Sequence, residues 1–145
     1  RKVILHHMRP ILLTNSEGLP SRRAVYRFFR QTGEAGIGVC YLSLADLLGI
    51  YGFTMPVTLW SKHLDVTREL LQAWWEEKET KISPLPLLDG NEVMQKFGLK
   101  PSPLVGKVLE GIREAQAAGE VHSKAEALRL AEQIITAGQA SSQER

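Results

Sequence analysis

Two prolines decide how this chain can be divided. Pro84 and Pro86 stand in Ile82-Ser83-Pro84-Leu85-Pro86-Leu87-Leu88. A proline cannot sit in a helix interior, and it pushes the residue before it out of the helical region. On both sides of this stretch apolar residues recur at helical spacing, and alternation with a period of two is absent. The expected fold is therefore all-α. A helical bundle occupies residues 1–81, a linker 82–88, a small helical tail domain 89–138, and a frayed end 139–145.

Cap residues punctuate the helices. Residues 2–14 read as the end of a helix, broken or kinked by Pro10, and 15–20 as a loop. Ser21 caps a helix to about Thr32, and Gly33 to Gly36 break the chain. The next helix, Ile37 to Tyr51, is apolar on nearly every side, so burial all round is expected. A long helix then runs from Pro56 to Lys81, with a stripe of Trp60, Leu64, Leu71 and Trp74. Beyond the prolines, Asp89 or Asn91 caps a short helix that Gly98 ends. Ser102 caps another, with Pro103 in its first turn and Gly119 at its close. Ser123 and Glu126 form a capping box for a last helix to about Ala137.

A hydrophobic content of 43% over 145 residues supports a packed core. The formal charge of +2 is too small to demand a nucleic-acid partner, so any such partner must be read from local clusters. The single cysteine, Cys40, cannot form an internal disulfide and fits a reducing compartment. No apolar run is expected to reach the roughly 18–20 residues of a membrane span. No secretory leader is visible, and a cytoplasmic protein is expected. The chain opens at Arg1 inside a helical pattern, which suggests a piece of a longer polypeptide.

Three groups of residues could carry chemistry. The turn Gly98-Leu99-Lys100-Pro101-Ser102-Pro103 leads into a helix whose first N–H groups and dipole favour an anion. Lys100 and Lys107 flank it, and Gly106 leaves room for a close backbone approach. With Lys96, Ser102 and Arg113, they make a candidate grip on RNA phosphates; an ordinary capped hairpin is the alternative. Arg23, Arg27 and Arg30 share one helix face beside Val25, Tyr26, Phe28 and Phe29. They could grip phosphates and stack on bases, or pair internally with acids. His6, His7 and Asp46 form the third group, with Asp46 the one charge in an apolar helix. HD-type phosphohydrolases bind metal with histidines and a late aspartate, which makes His7 and Asp46 candidate metal ligands. The adjacent His-Asp pair of that superfamily is absent, and an Asp46–arginine pair is the alternative. His63 and His122 are isolated and read as surface residues; Trp74 and Trp75 read as core.

The segments Leu88-Asp89-Gly90-Asn91-Glu92-Val93-Met94 and Gly98-Leu99-Lys100-Pro101-Ser102-Pro103-Leu104-Val105-Gly106-Lys107 resemble the C-terminal signature of class II tRNA nucleotidyltransferases and bacterial poly(A) polymerases. Ser102 stands where that pattern often has Gly. Upstream, His6-His7-Met8-Arg9-Pro10 and Leu42-Ser43-Leu44-Ala45-Asp46 resemble the HD-like region of part of the family. The resemblance implies a helical body and tail that hold tRNA or other RNA by phosphate contacts. Catalysis, with Mg²⁺ and the nucleoside triphosphates ATP and CTP, would lie in an N-terminal head outside this sequence. Two other readings stand beside it: a remnant HD-type metal-dependent phosphohydrolase, and a structural subunit-contact module using the Trp60/Leu64/Leu71/Trp74 stripe. The oligomeric state is left open.

Overall fold

The computed structural model describes the backbone of residues 1–143 and the side chains of residues 1–138. Eight α-helices and no strand occur among the described residues, as the helical periodicity predicts. The chain divides into two compact units, Arg1–Ile82 and Ser83–Arg145.

Unit 1 contains α1 (Lys2–His6), α2 (Arg9–Thr14), α3 (Arg22–Thr32), α4 (Ala35–Tyr51) and α5 (Val57–Glu76). Pro10 sits in the first turn of α2, where its missing N–H costs nothing, so the expected break falls just before it at His7 and Met8. The Ser21 hydroxyl accepts the Ala24 N–H at 3.2 Å and starts α3. Gly33 closes that helix at φ 59°, a backbone conformation that L side chains rarely adopt. The break before α4 is shorter than expected, because Gly36 lies inside the helix, against Phe29 and Thr32. α5 ends at Glu76 rather than Lys81, and one π-helical turn, Lys78–Ile82, follows. The Lys81 ammonium holds that turn down, bonding Glu69 at 2.9 Å and Glu77 at 2.5 Å. Burial works against its charge, but the two carboxylates outweigh it and raise its pKa.

The core of unit 1 gathers Val25, Phe28, Phe29, Val39, Cys40, Val66, Leu70, Ala73 and Trp74. Phe29 lies between Phe28, edge-on at 4.9 Å, and Trp74, tilted at 5.0 Å. Two expectations fail here. First, α4 is not buried all round: Gly36, Val39, Cys40, Ser43 and Leu47 face inward, while Tyr41, Leu48 and Ile50 are exposed. Its span Ala35–Thr54 is, at 20 residues, long and apolar enough to cross a membrane by length and composition, contrary to the sequence expectation. Second, the inward face of α5 is His63, Val66, Thr67, Leu70, Ala73 and Trp74, not the stripe through Trp60 and Leu64.

Unit 2 contains α6 (Gly90–Phe97), α7 (Pro103–Ala118) and α8 (Lys124–Gln143). The stretch expected as a linker belongs to it from Ser83 onward: Leu88 is buried in its core, and the Leu85 carbonyl accepts from the Gln116 amide at 2.9 Å. A reciprocal capping box starts α6. Glu92 N–H donates to Asp89 Oδ1 at 2.8 Å, and Asp89 N–H to Glu92 Oε2 at 2.9 Å. Gly98 ends α6 in the left-handed region, and Leu99 N–H reaches back to the Met94 carbonyl at 3.0 Å. Glu126 caps α8 by accepting the N–H groups of His122 at 2.7 Å and Ser123 at 3.2 Å. Val93, Val105, Val108, Ile112, Ala115, Ala127, Ala131 and Ile135 close the core. α8 continues past Ala137 to Gln143, so most of the stretch expected to fray is helical; residues 144 and 145 lie outside the described residues.

Candidate nucleic-acid interface

The α6–turn–α7 hairpin of unit 2 carries the first group. Lys96 is exposed in the last turn of α6, where a cation also suits the helix dipole. Lys100, Pro101 and Ser102 are exposed in the turn. Ser102 occupies the N-cap position in extended backbone, but its hydroxyl makes no cap bond; its carbonyl accepts the Val105 N–H at 3.1 Å. The expected side-chain cap is thus corrected: Pro103 supplies the helical φ without it. Lys107 is exposed one turn into α7. A Cβ built on neighbouring Gly106 meets nothing within 4 Å, so packing inside the unit does not require glycine there. Lys96, Lys100, Ser102 and Lys107 therefore all point out of one hairpin.

Arg113 stands apart. Six residues beyond Lys107, it comes out roughly 120° around the helix. It is half-buried and lines a cavity of about 220 Å³ with Pro86, Leu88, Asp89, Gly90, Leu109, Ile112 and Gln116. The rim of unit 2 adds a pair that sequence reasoning missed. Lys124 at the start of α8 bonds Glu92, and that bond, with the Asp89 N–H, holds the Glu92 carboxyl below its usual range.

The arginine stripe has a different setting. Arg27 and Arg30 are exposed and Arg23 half-exposed, as one helix face predicts. All three engage other groups of the molecule, and Arg22 reaches the Thr80 carbonyl at 3.4 Å. Val25, Tyr26, Phe28 and Phe29 are at most 2% exposed, so these aromatics offer no face for base stacking. That part of the expectation is overturned, because the same rings form the core.

His7 and Asp46 do meet. Both line a cavity of about 430 Å³ with Met8, Ile11, Ser43, Ala45, Gly49 and Ile50. His7 Nδ1 lies 2.6 Å from the Ile4 carbonyl, which leaves Nε2 as its available nitrogen. Among the described residues no group of three or more His, Cys, Asp or Glu is placed to hold a metal ion. Two donors do not make the three- or four-ligand set of a protein metal site, so His7 and Asp46 do not by themselves complete the expected HD-type site.

His63 was expected at the surface and is instead fully buried. Its Nδ1 lies 2.8 Å from Thr14 Oγ1 and its Nε2 3.1 Å from Ser43 Oγ. Trp74 and Trp75, expected together in the core, part company: Trp74 is buried, while Trp75 is 69% exposed. Trp75 borders an open groove with Leu44, Leu64, Thr67, Arg68, Leu71 and Gln72.

An all-α chain with a lysine-bearing helical hairpin is the class that fold and site define. The relatives it matches are tRNA nucleotidyltransferases. The chain is 32% identical over 130 residues to the CC-adding tRNA nucleotidyltransferase of Thermus thermophilus, covering 87% of this chain and 27% of that protein. It is 50% identical over 50 residues to the A-adding tRNA nucleotidyltransferase of Deinococcus radiodurans, covering 34% of this chain and 12% of that protein. It is 33% identical over 66 residues to the CC-adding tRNA nucleotidyltransferase of Synechocystis, covering 46% of this chain and 16% of that protein. The chain thus spans about a quarter or less of the curated relatives it matches. No family model and no solved structure matches it.

Proposed function

We propose that this chain is the helical body and tail of a tRNA nucleotidyltransferase, and that it holds tRNA by its phosphates while nucleotide addition takes place in another part of the enzyme. The observation that carries the reading is the similarity to the Thermus CC-adding enzyme over 87% of the chain. The exposed lysines of the α6–α7 hairpin supply the chemistry. Lys96, Lys100 and Lys107 are point charges on a rigid bend, and Ser102 adds a hydroxyl at a helix start. Contacts of that kind position a substrate without reading its sequence. A-form RNA suits such a grip, because it is recognised mainly by shape and backbone. Arg113 would act from the other side of α7, and Arg23, Arg27 and Arg30 from unit 1. Mg²⁺ and nucleoside triphosphates would belong to the catalytic part.

The test is binding of the chain to a tRNA transcript across a range of salt concentrations. Steep weakening with salt is expected. Lys100→Glu combined with Lys107→Glu should lower the slope of log K against log salt by about two. Unchanged affinity in that variant would remove the hairpin from the reading. Absence of binding at low salt would leave the chain as scaffold.

That outcome would bring forward a subunit-contact role, which the exposed groove beside Trp75 favours. The surface would be Leu44, Leu64, Leu71 and Trp75, since burial of Trp74 takes it out of the expected stripe. Sedimentation of Trp75→Ala against the parent chain reads this directly: a dimer lost on substitution supports it, and a parent chain that is already monomeric sinks it.

A further inference from the structure

We propose that Thr14, His63 and Ser43 form a buried proton switch that lets unit 1 stay folded with His63 either neutral or charged. The three side chains tie α2, α5 and α4 together and are each at most 3% exposed. Each hydroxyl has two places to send its one proton. Thr14 Oγ1 donates to the Pro10 carbonyl at 2.9 Å or turns to His63 Nδ1 at 2.8 Å. Ser43 Oγ donates to the Cys40 carbonyl at 2.8 Å or turns to His63 Nε2 at 3.1 Å. A neutral imidazole has one N–H and one lone pair. It donates to one hydroxyl and accepts from the other. An imidazolium has two N–H groups, and both hydroxyls then accept from the ring while sending their protons to Pro10 and Cys40. Protonation costs no hydrogen bond in this arrangement; one O–H rotates. An ordinary buried histidine with one fixed donor and one fixed acceptor would lose a bond and force the site open.

The surroundings keep the response specific to the ring. Asp46 on α4 and His7 before α2 line the cavity whose wall Ser43 forms, on the side of Ser43 away from the enclosed ring. Arg9 on α2 is turned toward Gln31 and Phe28. On α4 the thiol of Cys40 is buried, and burial raises its pKa to about 12, so it stays neutral. On α5 Lys62 and Asp65 flank His63 in sequence; Asp65 is paired with Arg68 at 3.3 Å. Burial first of all lowers the His63 pKa, and hydrogen bonding to the Ser43 backbone pulls it partly back. Ser43 borders both the ring and the cavity, so in the tautomer whose Nε2 accepts from Ser43, protonation of His63 turns the O–H on the cavity wall toward the Cys40 carbonyl.

The experiment is ¹⁵N NMR of the imidazoles in the full chain during an acid titration, with His63 assigned by loss of its signals in His63→Gln. The expected result is that His63 titrates within the folded state, below the ordinary histidine range, and shows two slowly exchanging N–H protons when charged. Ser43→Ala and Thr14→Val should each move that midpoint to still lower pH, because the charged ring loses more with a missing acceptor than the neutral one. Protonation of His63 only as unit 1 unfolds would overturn the switch, whatever the Ser43 and Thr14 variants do. A midpoint that neither substitution moves would overturn it as well.

Discussion

Unit 2 closes its own core and unit 1 does not. Of the large apolar side chains that stand exposed among the described residues, eleven belong to unit 1, from Ile4 and Leu5 to Trp75, and one, Leu85, to unit 2. Unit 2 is built from three helices with local caps, and valine, isoleucine and alanine mesh inside it. Unit 1 spends part of its interior on polar groups, His63, Thr14, Ser43, Thr32 and Thr67, and leaves one side of α4 uncovered. A buried polar cluster is stable only when every member is bonded, and no buried side-chain nitrogen or oxygen here lacks a partner. The comparison teaches that apolar content does not by itself say which helix is central. α4 is the most apolar helix of the chain to the eye, yet Tyr41, Leu48 and Ile50 remain in solvent.

The comparison can be broken by deleting volume from the self-contained core. Ile112→Ala should cost about 2–5 kcal/mol. Unit 2 should then melt first, with the fluorescence of Trp60, Trp74 and Trp75, all in unit 1, unchanged through that transition. Simultaneous loss of both units would mean that they fold as one.

Two glycines sharpen it. A Cβ on Gly36 in unit 1 would sit 2.7 Å from both a Phe29 ring carbon and the Thr32 hydroxyl, inside a packed core. One on Gly111 in unit 2 would sit 2.6 Å from Ile134 Cδ1, the free end of a flexible side chain. Overpacking should make Gly36→Ala cost about 1–3 kcal/mol. Gly111→Ala should be close to neutral, because a helix gains roughly 1 kcal/mol when alanine replaces glycine. Thermal melts of the two variants check the difference, and equal losses would count against the packing described here.

A smaller loss is expected from Asp89→Ala, which removes one half of the α6 capping box: about 1 kcal/mol, confined to unit 2. Denaturant titration followed by amide exchange in α6 measures it.

Acid should separate the units without any substitution. The His63 pKa is depressed from 6.5, so the unfolded chain binds the proton more readily, and the stability of unit 1 declines as pH falls below that value. Glu92 and Glu126 in unit 2 are depressed from 4.5, by Lys124 and by the His122 N–H respectively. Their contribution is complete above that value and is lost at lower pH still. Unit 1 should therefore weaken first on acidification; the reverse order in a pH series of melts would contradict both assignments.

The parts of the fold legible in the sequence are those set by local chemistry. Ser21, Gly98, Ser123 with Glu126, and the breaks at Pro10 and Gly33 act within a few residues of themselves, and a cap at Asp89 or Asn91 was legible although the return bond from Glu92 was not. Lys100 in the turn between α6 and α7 was legible for the same reason: a short bend exposes what it carries. The inward face of α5 was not. Trp60, Leu64 and Leu71 outweighed Val66, Thr67 and Leu70 to the eye, because both sets keep a helical spacing and the pattern alone does not say which face turns inward. A histidine joins such a face only when distant hydroxyls satisfy it. Thr14 and Ser43, 49 and 20 residues away, leave no mark near position 63. The aromatics of α3 likewise read as possible stacking rings until Trp74 arrives from α5 to bury them.

Cys40 turns the interior of unit 1 into a clock. It is the lone thiol of the chain, fully enclosed, with burial pushing its pKa to about 12. The thiolate is the form that reacts with alkylating reagents, and an enclosed neutral thiol presents none of it. Modification at neutral pH must therefore wait for α4 to come away from its neighbours. The rate at which a maleimide or disulfide reagent consumes Cys40 counts those openings, with no engineered label required.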